Sequence, residues 1–243
     1  MLALVSIPRL RHPLRWIVGA VAVIAVVAVA GPFAYIHFLN RAPAALSLPA
    51  SSPKASGSSG RTVTAGTATA ITGTWDTSSG SVVGYRVNEV LLGQNATAVG
   101  RSSSVTGHLT ISGSTVTAAT FSVPMATIHS DKSQRDAQFD GRIMDVAQYP
   151  AGTFTLTRPI SLAPIPGAGA TRDYTASGRL ALHGTTRTVT FSLQAELVSG
   201  RIEVTGQIPV LFADYNIQNP SFAGFVTTQN HGVLEFLLIF AKA

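Results

Sequence analysis

The stretch GRLALHGTTRTVTFSLQAEL, residues 178–197, gives the clearest indication of local structure in this 243-residue chain. Apolar and polar residues alternate on both sides of His183-Gly184, and successive side chains of a β-strand point to opposite faces of a sheet. A glycine between two such runs is typical of the tight turn of a β-hairpin. The sequence therefore predicts two antiparallel strands that each have one apolar face.

The same alternation recurs over residues 71–240, which are rich in Thr, Val, Ser and Gly, a composition typical of strands. Turn signals separate the runs, among them Ser112-Gly113-Ser114, Ser199-Gly200 and the Pro- and Gly-rich residues 163–170. About eight strands with one apolar face each must close into a barrel or pack as two sheets. The region is predicted to be all-β and antiparallel, with both arrangements open at this point.

Residues 130–148 depart from this strand pattern. Asp131, followed three residues later by Gln134, is typical of a helix N-cap and its N3 partner. Apolar residues then recur at helical spacing, at Phe139, Ile143 and Val146. The segment predicts a short amphipathic helix, or two turns, over one end of the sheet.

The N-terminal part of the chain predicts a membrane anchor. Residues 16–39 contain no Asp, Glu, Lys or Arg, and about 20 apolar residues suffice to span a bilayer. Three arginines precede this run and one follows closely, which predicts a cytoplasmic segment at 1–15, a transmembrane helix at 16–39 and an extracytoplasmic C-terminal domain. A cleaved signal peptide ending at Ala28-Val29-Ala30 is the alternative, and it also exports the rest of the chain.

Residues 40–70 are predicted to be a flexible linker, and residues 71–243 the β-domain. The stretch RAPAALSLPASSPKASGSSG at 41–60 has no hydrophobic period and too little apolar surface to offset the entropy of ordering. The membrane and the linker thus account for the first 70 residues.

Composition excludes several classes of function. The chain has no cysteine, which removes disulfides, thiolate metal sites and cysteine nucleophiles. All eleven acidic residues lie beyond residue 60 with twelve of the seventeen basic ones, so the β-domain is almost neutral and lacks the basic surface of a nucleic-acid-binding protein.

The histidines have no metal-ligand spacing, and His129-Ser130-Asp131 reads as a turn because a catalytic triad needs convergent residues. Neither a catalytic group nor a cofactor is predicted.

Four motifs, in order along the chain, resemble the YceI-like family. They are VGYRVNEV at 83–90, TIHSDKSQRDAQFDGRIMDVAQYPAGTF at 127–154, GRLALHGTTRTVTF at 178–191 and FADYNIQ at 212–218. The resemblance implies a lipocalin-like antiparallel barrel around one elongated apolar cavity that holds a polyisoprenoid, in a periplasmic or secreted protein without catalytic activity. The chain departs from the family pattern at Glu89 and Gln138, where histidines are usual, and at Met144, where a phenylalanine is usual.

Within such a barrel, inward-facing residues either pack the core or contact a ligand. The candidate ligand-binding residues are Val83, Tyr85, Val87, Phe121, Val123, Phe154, Leu180, Phe191, Leu193 and Arg135. For the apolar nine the alternative is simple core packing. Arg135 either meets a phosphate or quinone head group or, like its neighbour Asp136, belongs to a structural ion pair or cap that ties the helix to the barrel.

The sequence therefore predicts a membrane-anchored module that binds or carries a polyisoprenoid or isoprenoid-quinone. The alternative is an envelope protein-interaction or stress-related β-domain whose barrel is filled by its own side chains. Whether the chain forms a homodimer is left open.

Overall fold

The computed structural model describes residues 24, 26, 30–31, 42–49, 68–91, 93–221 and 226–243. The segment predicted to be cytoplasmic and most of the predicted membrane helix lie outside these residues, and the four described positions at 24, 26, 30 and 31 are helical. No helix within the described parts of the chain has the length and apolarity needed to span a bilayer. The β-domain belongs to the compact unit formed by residues 42–91 and 95–243.

The described residues form thirteen β-strands and two short α-helices. The strands are β1 (Gly73–Thr77), β2 (Val82–Leu91), β3 (Gln94–Ser102), β4 (Thr106–Ser112), β5 (Thr115–Pro124), β6 (His129–Ser130), β7 (Ala151–Leu156), β8 (Ile160–Ser161), β9 (Arg172–Leu182), β10 (Thr185–Val198), β11 (Arg201–Leu211), β12 (Val226–Thr228) and β13 (His231–Lys242). The helices are α1 (Ala68–Ile71) and α2 (Ser133–Gln138), with a π-helical turn at Phe139–Ile143 and 3₁₀ turns at Met125–Thr127 and Phe212–Tyr215.

Eight of these strands close into an antiparallel barrel. Their order is β1-β4-β5-β7-β9-β10-β11-β13, and β13 pairs back to β1. The structure thus confirms the all-β, antiparallel prediction and decides for the barrel over two packed sheets. The predicted hairpin at 178–197 is β9–β10, where Leu182 pairs with Thr185 across a turn whose residues His183 and Gly184 both have positive φ, as a type I′ turn requires.

The last strand changes its neighbour along its length. Residues 233–237 of β13 pair with β2, and Lys242, Ala241 and Phe240 pair with β1. Between these stretches the backbone of Ile239 bonds to the loop that joins β1 to β2: its carbonyl accepts from the amide of Ser78 at 2.7 Å, and its amide donates to the hydroxyl of Ser81 at 2.9 Å. The loop therefore supplies hydrogen-bond partners for the backbone of Ile239, where β13 pairs with neither β1 nor β2.

The short helix predicted between residues 130 and 148 is confirmed, but its predicted N-cap is wrong. Helix α2 starts after Lys132 and has no side-chain cap. The carboxylate of Asp131 instead accepts a hydrogen bond from the guanidinium of Arg135. The neighbouring carboxylate of Asp136 bonds the amide of Ser130 at 2.8 Å and its hydroxyl at 2.6 Å, so it is Asp136 that ties the turn before the helix.

The core consists of two buried clusters, which lie towards opposite ends of the barrel. One contains Trp75, Leu109 and Phe240 near α1. The other contains Phe139, Phe191 and Tyr215, near the π-helical turn and the second 3₁₀ turn. Half-buried side chains that pack against both clusters lie between them, among them Val123 and Phe236.

Candidate ligand-binding site

All nine predicted apolar residues belong to the interior of the barrel, since each is part of one of the two core clusters or packs against it. Their pairing explains this, because directly opposed residues of neighbouring strands share a face. Phe121 pairs with Phe154, Phe154 pairs with Leu180, and Val83 pairs with Phe236 of the last strand. The period-two pattern therefore placed these side chains on the correct face.

Five phenylalanine rings form a continuous line through the interior. Ring centroids lie 5.7 Å apart for Phe240 and Phe121, 6.5 Å for Phe121 and Phe154, 5.6 Å for Phe154 and Phe191, and 5.8 Å for Phe191 and Phe236. The last two pairs are edge-to-face, which is a favourable arrangement for aromatic rings. Phe236 and Phe240 are not among the residues predicted from the sequence, although their spacing of four along an apolar strand is the signal that could have found them.

The inward-facing residues differ in how completely they are buried. Of the nine residues, only Leu180 and Phe191 are buried, at 4% and 8% exposure, and the other seven are half-buried. Because protein interiors are normally close-packed, the half-buried residues are the ones available to contact a ligand.

Two inward-facing glycines hold rings against the wall of the barrel. A Cβ at Gly178 would lie 2.3 Å from Cζ of Phe154, and a Cβ at Gly206 would lie 2.7 Å from Cζ of Phe236. Both distances are shorter than any tolerable contact between carbon atoms, so only glycine allows the rings to lie so close to the opposite backbone. These glycines therefore let the two rings pack directly against the backbone of a neighbouring strand.

The end of the barrel near α1 is tightly packed. Trp75 is 2% exposed and Phe240 is 1% exposed. The indole N–H of Trp75 donates to the carbonyl of Ile71 at 2.8 Å, which ties α1 to this cluster. A ligand is therefore expected to enter from the opposite end.

The opposite end carries charged groups around α2. The ring of Phe139 stacks on Tyr85 with centroids 5.2 Å apart. The guanidinium of Arg135 lies 3.4 Å from Glu89 and also pairs with Asp131. Burial raises the pKa of Glu89, and Arg135 opposes this shift; burial likewise raises the pKa of Tyr85. Arg135 therefore faces two carboxylates, one of which stands where the family pattern has a histidine.

Arg135 forms an ion pair that ties the helix to the barrel, because its partner Glu89 lies on β2, but Asp136 takes no part in that pair. Asp136 bonds Ser130 and lies 3.5 Å from the imidazole of His129. Burial alone would raise the pKa of Asp136, but these hydrogen bonds and the nearby imidazole lower it overall. The sequence identified Arg135 and Asp136 as charged residues at this end of the barrel. It did not predict their partners, which lie on β2 and in the turn before the helix.

A family model described as YceI-like domain matches residues 65–239. The chain belongs to the YceI-like family. Among solved structures, a polyisoprenoid binding domain from Saccharophagus degradans is similar, with a TM-score of 0.57 and 16% identity over 71% of this chain and 99% of that one. BcnA from Burkholderia cenocepacia has a TM-score of 0.50 and 18% identity over 64% of this chain and 95% of that one. At these identities the likeness shows the shared YceI-like fold.

No curated protein sequence matches the chain. The family assignment therefore depends on the domain model and on the barrel itself.

Proposed function

We propose that this YceI-like barrel binds an isoprenoid lipid in its interior. The observation that carries the proposal is the set of apolar side chains that face inward yet remain half-buried. Each buried CH₂ group of a ligand contributes about 0.8 kcal/mol, so a few isoprene units supply substantial affinity without any polar contact. The polyisoprenoid binding domain with the same fold supports this choice of ligand.

The charges at the helix end favour a neutral head group. Glu89 and Asp131 already compensate Arg135 and Lys132, so a pyrophosphate there would meet two carboxylates as well as these two cations. An alcohol or a quinone avoids this repulsion. We therefore propose a polyprenol or an isoprenoid quinone as the ligand.

The sequence supports a location at the outer side of the cell membrane. Residues 16–39 carry no charged side chain, and Ile24 and Val26 are 67% and 64% exposed, as lipid-facing residues of an anchor are expected to be. An anchored barrel remains close to a reservoir of membrane lipids, which raises its effective concentration there. Alkaline carbonate extraction of membranes tests the anchor, because a spanning protein stays in the pellet.

A blocked interior tests the binding proposal. Full-length protein purified in mild detergent is analysed by solvent extraction and mass spectrometry, and its affinity for added polyprenol is measured. We expect Leu193→Trp, which fills the interior, to lower that affinity at least tenfold. The matched control is Ser192→Trp, whose side chain is exposed on the outer face and should leave binding unchanged. No co-purified lipid together with no binding of polyprenol or quinone would refute the proposal in favour of the self-filled barrel.

Replacing Glu89 tests the choice of head group. In Glu89→Gln, Arg135 loses its more buried carboxylate partner, so affinity for polyprenyl diphosphate should rise about tenfold while affinity for the alcohol stays the same. Arg135→Ala should then abolish the gain. An unchanged ratio of the two affinities in Glu89→Gln would show that Arg135 does not face the head group.

A further inference from the structure

A fully buried carboxylate lies on the outer wall of the barrel. Glu235 occupies β13 between two inward-facing residues, so its own side chain points outward, yet the residue is only 1% exposed. A buried charge is costly unless oppositely charged groups and hydrogen bonds compensate it. The groups that cover Glu235 therefore define a built site outside the lipid-binding interior.

Two arginines from neighbouring strands compensate this carboxylate. Arg101 on β3 donates to Oε1 of Glu235 from Nη2 at 2.7 Å and from Nε at 3.0 Å. Arg86 on β2 donates to Oε2 from Nε at 3.3 Å. Both guanidinium groups stay partly exposed, at 26% and 19%, so they also have donors for another partner.

That partner is the backbone of residues 42–49, a part of the segment predicted to be a flexible linker. The carbonyl of Pro43 accepts from Arg86 at 2.8 Å, and the carbonyl of Ala44 accepts from Arg101. The amide of Leu46 donates to Glu235 at 3.4 Å. The carbonyl of Leu46 lies 3.3 Å from the hydroxyl of Thr205 on β11, whose single proton it shares with the carbonyl of Phe236 at 2.9 Å. The segment thus crosses strands β3, β2, β13 and β11 and is held through its main chain.

Side chains of the same segment add an apolar contribution. Leu46 and Leu48 are half-buried, whereas Ala45 and Ser47 are exposed. Every second side chain therefore packs on the wall, as in the binding of an extended peptide whose main chain is hydrogen-bonded and whose alternate residues give specificity.

We infer that Glu235, Arg86, Arg101 and Thr205 form an outer-wall peptide site that holds the chain's own residues 42–49, here named the strap, and thereby shortens the tether of the barrel. With the strap bound, only residues 40 and 41 separate the predicted membrane span from the domain, a reach of about 10 Å when extended. A free linker over residues 40–70 would have a root-mean-square span of about 30 Å. The tether length depends on the proposed membrane anchor; the strap site itself does not.

Spin labels test whether the strap is bound. The chain has no cysteine, so Ala45→Cys and Gln207→Cys, both at exposed positions, label only the strap and the adjacent outer wall. Double electron–electron resonance on the full-length protein in lipid nanodiscs should give one narrow distance distribution. Leu46→Asp, which places a carboxylate beside Glu235, should broaden it, and Ser47→Asp should not.

A second pair of measurements separates the strap from the anchor. Thr205→Val removes one hydrogen bond from the wall and should broaden the distribution less than Leu46→Asp does. A dye at Gln207→Cys reports the distance of the barrel from the membrane by energy transfer to acceptors on the lipid head groups. Release of the strap in Leu46→Asp should lower this energy transfer, and melting curves of the variant check that the barrel is intact. A broad distribution in the parent protein would overturn the strap. A narrow one with unchanged energy transfer would overturn the short tether, and release of the parent by alkaline carbonate would instead refute the anchor.

Discussion

Two phenylalanines on the same strand provide a direct test of whether the barrel is hollow. Phe236 and Phe240 both point inward from β13, and each packs edge-on or tilted against one other ring, at 5.8 Å and 5.7 Å. They differ in exposure, because Phe240 is 1% exposed and Phe236 is half-buried. Replacing each phenylalanine by alanine therefore compares the cost in stability of the same truncation at the packed end of the barrel and in the middle of its interior.

The expected magnitudes follow from the cavity that each truncation leaves. Phe→Ala in a packed core costs about 3–5 kcal/mol, and for a single type of truncation the cost varies over about 2 kcal/mol with the size of the remaining cavity. Phe240→Ala leaves a new closed cavity and should cost the upper part of that range. Under the proposed function, Phe236→Ala only enlarges the space that the ligand occupies, so it should cost at least about 1.5 kcal/mol less, or about 3–6 °C less in melting temperature.

Urea unfolding followed by circular dichroism measures both variants, and added polyprenol sharpens the comparison. A ligand that binds only the folded state stabilises it by mass action, so wild type should gain stability with polyprenol and Phe236→Ala should gain less. Equal costs for the two truncations in lipid-free protein would mean that the middle of the barrel is as tightly packed as its end, and the argument for interior space would fail.

Two further predictions concern the wall and the turn before the helix. Gly178→Ala should destabilise the domain by about 1–3 kcal/mol because its Cβ would collide with Phe154, whereas Gly141→Ala, with no atom within 4 Å, should be neutral in the same melting experiment. Asp136→Asn should cost about 1–2 kcal/mol at pH 7 through its weaker hydrogen bonds to Ser130. Since the folded-state pKa of Asp136 lies below its unfolded value, that difference should shrink as pH falls through about 4, and a constant difference in unfolding curves from pH 2 to pH 7 would contradict it.

Period-two patterning predicted the strands well because a half-buried strand imposes it directly on the sequence. The turn at His183-Gly184 was equally predictable, since positive φ at two successive residues strongly favours glycine at one of them. Pattern alone did not choose between a barrel and two sheets. That choice depends on the pairing of β13 with β1, a long-range contact that no local signal specifies.

The helix start shows where local reasoning failed for a physical reason, and the proposed strap shows what local reasoning cannot address. Asp131 has the residue type of a cap, but Arg135 one turn later competes for its carboxylate. The strap has the composition of a flexible linker, and its order comes from side chains far away in sequence. The one signal was Glu235 itself, a carboxylate in an otherwise apolar strand that required a partner.

The closure of the barrel by its last strand also constrains when the domain can fold. Ser81 and Ile239, which join at the seam, are 158 residues apart in the chain, and contacts of such separation form slowly. Until β13 has been synthesised, β1 and β2 lack the strand that pairs with both of them. The barrel therefore stays open through almost all of the synthesis of the polypeptide.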